Sequence, residues 1–284
     1  MRISDFDLYR DLLIKKSGLS LTPDKSYLLD SRLTPVSKKW GFATLDAMTV
    51  ALRGMPDPAL IKEVIEAMTT NETSFFRDSK PFELFRQVVL PFMAKKRAAN
   101  KSIKIWCAAS SSGQEPYSLA MTILENRHLI PGWKVEIVAT DISDDILKKA
   151  IAGEYSQFEV QRGLPIQLLI KYFDQKDDKW VIKEELRKMI RYKTFNLLND
   201  MTALGTFDIV FCRNVLIYFD HATKQDILSR MSKRMASDGF LFLGGAETVL
   251  GFTDEFRMME GHRGLYALSK GTYDMAELAK AASQ

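Results

Sequence analysis

The run Phe207-Asp208-Ile209-Val210-Phe211-Cys212-Arg213-Asn214 constrains the fold of this 284-residue chain more than any other segment. Four consecutive apolar, largely β-forming residues follow one acid, which is the pattern of a strand buried on both faces in a parallel sheet. The apolar run then stops at two polar side chains, Arg213 and Asn214. In open α/β sheets ligands bind outside the carboxyl ends of the strands, so this switch marks a candidate site. An ordinary strand exit has the same look; three further segments separate the two readings.

The chain before and after residue ~69 differs in pattern. Residues up to about 65 read as helices. Ser4 and Asp7 resemble a capping box ahead of Leu8, Leu12 and Leu13, with Gly18 as a stop. Asp24 to Trp40 gives a second helix with Leu28, Leu29, Leu33 and Val36 as core candidates, and Pro35 within it predicts a kink or break. Thr44 to Arg53 and Ala59 to Met68 give two more, separated by Gly54-Met55-Pro56-Asp57-Pro58. Strands then alternate with helices: Ile103 to Ala109, Pro116 to Arg127, Lys134 to Thr140, a helix around Ile146 to Ile151, Phe207 to Arg213, Thr223 to Met235 and Phe240 to Leu243. That alternation predicts a parallel, doubly wound sheet. Residues ~153–195 interrupt it with Lys179-Trp180-Val181-Ile182 and Met189-Ile190-Arg191-Tyr192-Lys193, which read as short antiparallel strands inserted in the α/β domain, either a surface excursion or a docking platform. The tail from Ala276 reads as a frayed helix or disordered.

Two strand ends carry the chemistry. The turn Ala108-Ala109-Ser110-Ser111-Ser112-Gly113-Gln114-Glu115-Pro116 has small residues that let a ligand approach the backbone, and Pro116 suits the first position of a helix. With one glycine it is not a dinucleotide fingerprint. Glu115 would repel phosphate at that helix start and suits a cationic ligand, although a helix-start acid is also stabilised there by the helix dipole. Asp141 ends the second strand, where an acid hydrogen-bonds ribose hydroxyls or caps the next helix. Together they point to a nucleoside with positive charge and no phosphate, which S-adenosylmethionine satisfies and ATP or NAD does not. The two cysteines, Cys107 and Cys212, sit in apolar runs and have no zinc-ligand spacing. With no signal peptide and no apolar stretch of ~20 residues, the expectation is a cytoplasmic protein with no metal and no membrane insertion. A net charge of +4 suits an acidic partner without requiring nucleic acid.

Four segments in order carry a resemblance: Thr70-Asn71-Glu72-Thr73-Ser74-Phe75-Phe76-Arg77-Asp78, Ser111-Ser112-Gly113-Gln114-Glu115-Pro116-Tyr117-Ser118-Leu119-Ala120, Ala139-Thr140-Asp141-Ile142-Ser143, and Phe211-Cys212-Arg213-Asn214-Val215-Leu216-Ile217-Tyr218-Phe219. The chain resembles the chemotaxis-receptor glutamate O-methyltransferases, the CheR family, over roughly residues 5 to 270. The resemblance implies a small all-α domain (1–68, receptor docking), a Rossmann-like α/β methyltransferase domain (69–271) with an inserted antiparallel β-subdomain (about 153–195), and a tail (272–284). It implies cofactor contacts at Asn71, Thr73, Arg77, Glu115, Asp141, Asn196, Leu197, Arg213 and Asn214, with S-adenosylhomocysteine as product. Gln114 and Ser112 depart from the second Glu and the Thr of many relatives, which leaves Glu115 as the charged contact. Arg77 offers a two-pronged donor to a carboxylate, of the cofactor or of the substrate, and Tyr218 lines the substrate entrance or packs in the core. Arg32, Lys38 and Lys39 form a basic docking face for an acidic receptor helical bundle, or a solvated one. Some relatives also bind a receptor C-terminal peptide by strand addition to the β-subdomain. A monomer is expected. The rivals are a nucleic-acid methyltransferase, disfavoured because no Asn/Asp-Pro-Pro-Tyr/Phe segment or Pro-Cys dipeptide is present, and a non-catalytic cofactor-binding module.

Overall fold

The computed structural model describes residues 3–273, without the side chains of Ile3 and Ser4. The capping role expected of Ser4 and the tail expected from Ala276 lie outside the described residues. The chain divides into two units. One ends at Thr70 and also takes in Tyr218–Lys224; the other runs Asn71–Ile217 and resumes at Gln225. The short segment 218–224 therefore groups with the helical unit, not with the α/β unit to which its position in the sequence assigns it.

The first unit holds α1 (Ile3–Ser17), α2 (Tyr27–Lys39), α3 (Leu45–Arg53) and α4 (Pro58–Met68). Gly18, at φ +77°, ends α1. The buried face of α1 is Phe6, Tyr9 and Leu13, shifted from the expected Leu8 and Leu12. Leu29, Leu33 and Val36 are buried on α2, which runs through Pro35 instead of ending there. Thr44 caps α3 by accepting the Ala47 N–H at 3.1 Å, and Asp57 caps α4 by accepting the Ala59 N–H at 2.8 Å.

In the second unit an unforeseen helical stretch opens the chain: α5 (Lys80–Leu84), a π-helical turn (Phe85–Val89) and α6 (Leu90–Lys96). Next come β1 (Ser102–Ala108), α7 (Gln114–Glu125), β2 (Lys134–Asp141) and α8 (Asp144–Ala152). The insertion comprises β3 (Glu154–Ser156), α9 (Gln157–Gln161), α10 (Ile166–Tyr172), β4 (Phe173–Lys176) and β5 (Lys179–Ile182). The remainder is α11 (Glu184–Arg187), β6 (Ile190–Thr194), β7 (Phe207–Cys212), α12 (His221–Ser232), β8 (Met235–Leu243), β9 (Phe256–Met258) and β10 (Leu265–Leu268).

The main sheet has the order β6-β2-β1-β7-β8-β10-β9. Its first five strands are parallel, whereas β10 and β9 pair antiparallel at the far edge. The expected all-parallel sheet is thus mixed, because the chain after β8 returns through a hairpin instead of a crossover helix. The segment at Met189–Lys193 also differs from expectation. It supplies β6, the parallel edge partner of β2, with Ile190 opposite Ile137. The separate antiparallel sheet is β3-β5-β4. Alternating charged residues gave β6 an insertion-like look, since as an edge strand it buries only one face.

Every residue of β7 is buried, as its sequence requires. Phe211 stacks on Phe242 of β8 with ring centroids 4.3 Å apart and receives the edge of Phe85 at 6.1 Å. Thr272 and Tyr273 belong to this body rather than to a tail, since the Tyr273 ring meets Phe240 at 5.3 Å. Because Phe211 is wholly buried between neighbouring layers, Phe211→Ala is expected to cost about 3–5 kcal/mol. A urea titration would register this as a lowered midpoint.

Candidate functional site

Strand order reverses between β1 and β7, since β2 and β6 lie on one side of β1 and β8 on the other. This is the switch point at which open α/β sheets bind ligands. Arg213 leaves β7 there with a side chain only 1% exposed. Its Nη1 donates to Glu115 Oε2 at 2.9 Å, and its Nη2 donates to Asp78 Oδ2 at 2.7 Å and the Arg77 carbonyl at 2.8 Å. The guanidinium lies 5.7 Å from the Phe82 ring centroid. The expected contacts Glu115 and Arg213 are thus each other's partners. Burial pushes the Glu115 carboxyl above its ordinary value, Arg213 opposes that shift, and the Glu247 charge adds to it.

The turn after β1 is shaped by alternating left-handed residues: Ala109 at φ +59°, Ser111 at +49° and Gly113 at +95°. A Cβ on Gly113 would come within 2.8 Å of the Tyr192 hydroxyl oxygen, so only glycine fits. Gly113 precedes α7, which therefore starts two residues earlier than Pro116 suggests; Pro116 occupies the first turn, where its missing N–H is harmless. Three of the turn's amides are already engaged. Ser110 N–H donates to the Thr140 carbonyl at 2.9 Å, Ser111 N–H to Asp141 Oδ2 at 2.9 Å and Gly113 N–H to the Ser110 carbonyl at 3.1 Å. This explains physically why the turn is no phosphate cradle. Asp141 also accepts the Ser143 N–H at 3.1 Å, so one carboxylate ties the exits of β1 and β2 together. Gln114, buried, accepts from the Ser112 hydroxyl at 2.8 Å.

The Asn71–Asp78 segment is pinned from several directions. Ser111 Oγ donates to the Asn71 carbonyl at 2.9 Å, the Phe76 N–H donates to Ser118 Oγ at 2.9 Å, and Arg77 Nη1 donates to the Glu72 carbonyl at 2.8 Å. Thr73 and Arg77 are half-buried beside it. Asn196 and Leu197 follow β6, where Asn196 Oδ1 accepts the Leu198 N–H at 3.0 Å and the Leu197 carbonyl accepts from Arg230 at 2.7 Å. Tyr218 falls in the helical unit, where its carbonyl accepts the Ser20 N–H at 2.8 Å.

Residues 71–265 match the CheR methyltransferase, SAM binding domain, and residues 4–69 match the CheR methyltransferase, all-alpha domain. The chain belongs to the CheR methyltransferase family. Chemotaxis protein methyltransferase Cher2 of Pseudomonas putida is 39% identical over 94% of this chain and 98% of its own length. Chemotaxis protein methyltransferase 1 of Pseudomonas aeruginosa is 40% identical, again over 94% and 98%. A chemotaxis protein methyltransferase of Vibrio parahaemolyticus is 39% identical over 93% of this chain and 96% of its own. This CheR protein is accordingly an S-adenosylmethionine-dependent methyltransferase with an all-α domain preceding the α/β domain.

The residues at the carboxyl ends of the strands suit that cofactor. Buried polar atoms without a partner include Ser110 Oγ and Arg213 Nε, both at the carboxyl ends of the strands. Glu115 Oε2 takes the guanidinium.

Other residues have tasks that the sequence does not announce. Arg32 donates to the Met68 and Thr69 carbonyls at 2.8 and 3.1 Å, capping the end of α4. Lys39 pairs with Glu63 at 2.7 Å, and Lys38 is exposed. Asp78 was overlooked as Arg213's second partner although it closes the first motif. Tyr155 of the insertion, wholly buried, donates to the Ser112 carbonyl at 2.7 Å. Glu247 accepts backbone N–H groups from Asn214, Val215, Leu216 and Gly244 at 2.7–2.9 Å. Its signal in the sequence is a lone acid shortly after the apolar strand, beyond Gly244-Gly245.

Two outcomes follow. Tyr155→Phe leaves a buried carbonyl unpaired and is expected to lower stability by about 1–3 kcal/mol in chemical denaturation. The unfolded chain loses the Glu115 proton at the ordinary carboxylate value, whereas the folded chain retains it to higher pH. The stability of the wild type relative to Glu115→Gln therefore falls as pH rises between those two values, measured as the difference in urea midpoints across pH 4 to 8.

Proposed function

We propose that this methyltransferase esterifies glutamate side chains on the cytoplasmic helical bundle of chemoreceptors. The observation that carries the reading is the Arg213–Glu115–Asp78 cluster at the switch point, within a chain matched to the CheR family along both of its domains. S-adenosylmethionine supplies an activated, positively charged methyl donor. Asp141 is assigned to the ribose hydroxyls. Asn196 and Leu197 frame the adenine with one polar and one apolar contact, on a turn that Arg230 steadies through the carbonyls of Leu197 and Asn199 at 2.7 and 2.8 Å. Glu115 faces the methionine end and meets its positive charge. Asn71 and Thr73 line the same site, and Arg213 and Asn214 close it from the exit of β7.

A substrate glutamate with pKa ~4.3 is ionised at neutral pH, so no general base has to activate it. Catalysis then comes from alignment and desolvation of the carboxylate. None of the histidines is needed: His128 lies in the 3₁₀ turn after α7, His221 opens α12 and His262 sits in the turn before β10. Arg77, held by the Glu72 carbonyl through one nitrogen, offers the rest of its fork to a carboxylate. Arg77→Ala distinguishes the two candidate carboxylates. Weakened S-adenosylhomocysteine binding places the cofactor's carboxylate there; unchanged binding with kcat/KM for receptor reduced by about tenfold or more places the substrate's.

Lys38 and Lys39 offer positive charge to an acidic bundle, and the β3-β5-β4 sheet offers edges for a receptor peptide. No helix among the described residues is long and apolar enough to cross a membrane. The family match favours this reading over a nucleic-acid methyltransferase or a non-catalytic module.

Methyl transfer from labelled S-adenosylmethionine to a receptor cytoplasmic fragment, followed by mild alkali, tests the reading. Label released as volatile methanol is the expected result, since only a carboxyl ester hydrolyses so readily. Alkali-stable label would mean methylation at nitrogen and would overturn the glutamate assignment. Cofactor binding with no transfer to any of several receptor fragments would establish a binding module instead.

A further inference from the structure

Glu247 takes no part in the chemistry assigned above, yet its carboxylate accepts four backbone N–H groups beside the site. It lies just after β8 in a turn closed by its own N–H on the Gly244 carbonyl at 2.9 Å. Oε1 accepts the Val215 and Leu216 N–H groups at 2.9 and 2.7 Å, and Oε2 accepts those of Asn214 and Gly244 at 2.8 and 2.7 Å. Four donors fill the acceptor sites of a carboxylate. Glu247 is also only 9% exposed, so its role is to anchor rather than to meet a ligand.

What it anchors is the exit of β7. Arg213 follows Cys212, the last residue of the strand, and Asn214 immediately adopts φ +58°, a conformation that L side chains enter reluctantly. The turn then runs into a single 3₁₀ turn, Leu216–Tyr218, too short to hold itself. Three successive amides aimed at one carboxylate supply the missing fixation. Gly244 is part of the same device. A Cβ there would stand 2.7 Å from Glu247 Oε2, 2.8 Å from Asn214 Nδ2 and 3.0 Å from the Asn214 nitrogen. The carboxylate can therefore approach the turn only because residue 244 has no side chain.

We propose that Glu247 is a positioning residue for methyl transfer, fixing the turn that carries Arg213 and Asn214 into the cofactor site without touching cofactor or substrate. This rests on the cofactor contacts proposed above for those two residues. Glutamine tests it with little change of shape. One of its two polar atoms is an NH₂ group, which would face backbone N–H donors that now meet an oxygen. Those donors lose their acceptor and the turn is released.

The experiment uses the full chain as wild type, Glu247→Gln, Gly244→Ala and Asp141→Asn. Each is measured for S-adenosylhomocysteine affinity by calorimetry, for kcat and KM in methyl transfer, and for amide hydrogen exchange. Glu247→Gln is expected to weaken binding by about tenfold or more, with faster exchange confined to residues 214–216 and the strands of the main sheet protected as in wild type. Gly244→Ala, which displaces the carboxylate without removing its charge, should reproduce that selective pattern. Wild-type affinity and kcat/KM in Glu247→Gln would overturn the proposal. So would a loss accompanied by accelerated exchange throughout the chain, which denotes a purely structural role. Asp141→Asn should lose affinity with residues 214–216 unchanged; if it binds as wild type does, the cofactor-site reading fails independently of Glu247.

Discussion

A guanidinium sealed from water at the carboxyl end of β7 sets the terms for the rest of the α/β unit. Removing such a charge from water costs several kcal/mol unless its hydrogen bonds are replaced, and removing one partner from a buried pair costs about 3–5 kcal/mol. Arg213 recovers that cost only if Glu115, Asp78 and the Arg77 carbonyl are all in place. Those groups come from the first turn of α7 and from the segment ahead of α5. One side chain thus forces three distant stretches of sequence to converge at the switch point of the sheet. The fork geometry of arginine suits this task, because a single planar group can serve several acceptors at fixed angles.

The same convergence ties the inserted sheet to the site. Tyr155 on β3 reaches the Ser112 carbonyl, and its ring meets the edge of Phe75 at 5.0 Å. Gly163, at φ +89°, leaves space where a Cβ would lie 2.2 Å from the Phe75 carbonyl oxygen. Glu72 pairs with Arg162 on the surface of the same junction. The insertion is therefore packed directly against the first motif and the turn after β1. Catalysis by alignment needs such support, since a carboxylate nucleophile requires little activation and all the more placement.

Much of this was legible in the sequence wherever a residue's chemistry is unusual for its position. The apolar run of β7 ending in Arg213-Asn214, the acid at Asp141 and the small-residue turn before Glu115 each break a local pattern, and each lies at a strand end at the switch point. Pairings were not legible. Glu115 and Arg213 are 98 residues apart, and nothing local shows that they neutralise each other. The cap that Arg32 places on α4 was hidden because a capping guanidinium and a solvated one have the same sequence signature. Strand β6 was misplaced because an edge strand with one exposed face resembles a hairpin strand. The helical stretch before β1 was missed because Pro81 and Pro91 obscure its periodicity, although each lies within the first two positions of a helical segment, where proline is tolerated.

The most direct measurement is the affinity for S-adenosylhomocysteine of Arg213→Lys, taken together with its thermal unfolding. Lysine keeps the charge but cannot fork between Glu115, Asp78 and the Arg77 carbonyl. If the fork assembles the cofactor site, the variant stays folded and binds more weakly by about tenfold or more. Wild-type affinity in a folded Arg213→Lys protein would contradict the account, because charge alone would then suffice and the convergence of the three segments would not depend on this side chain.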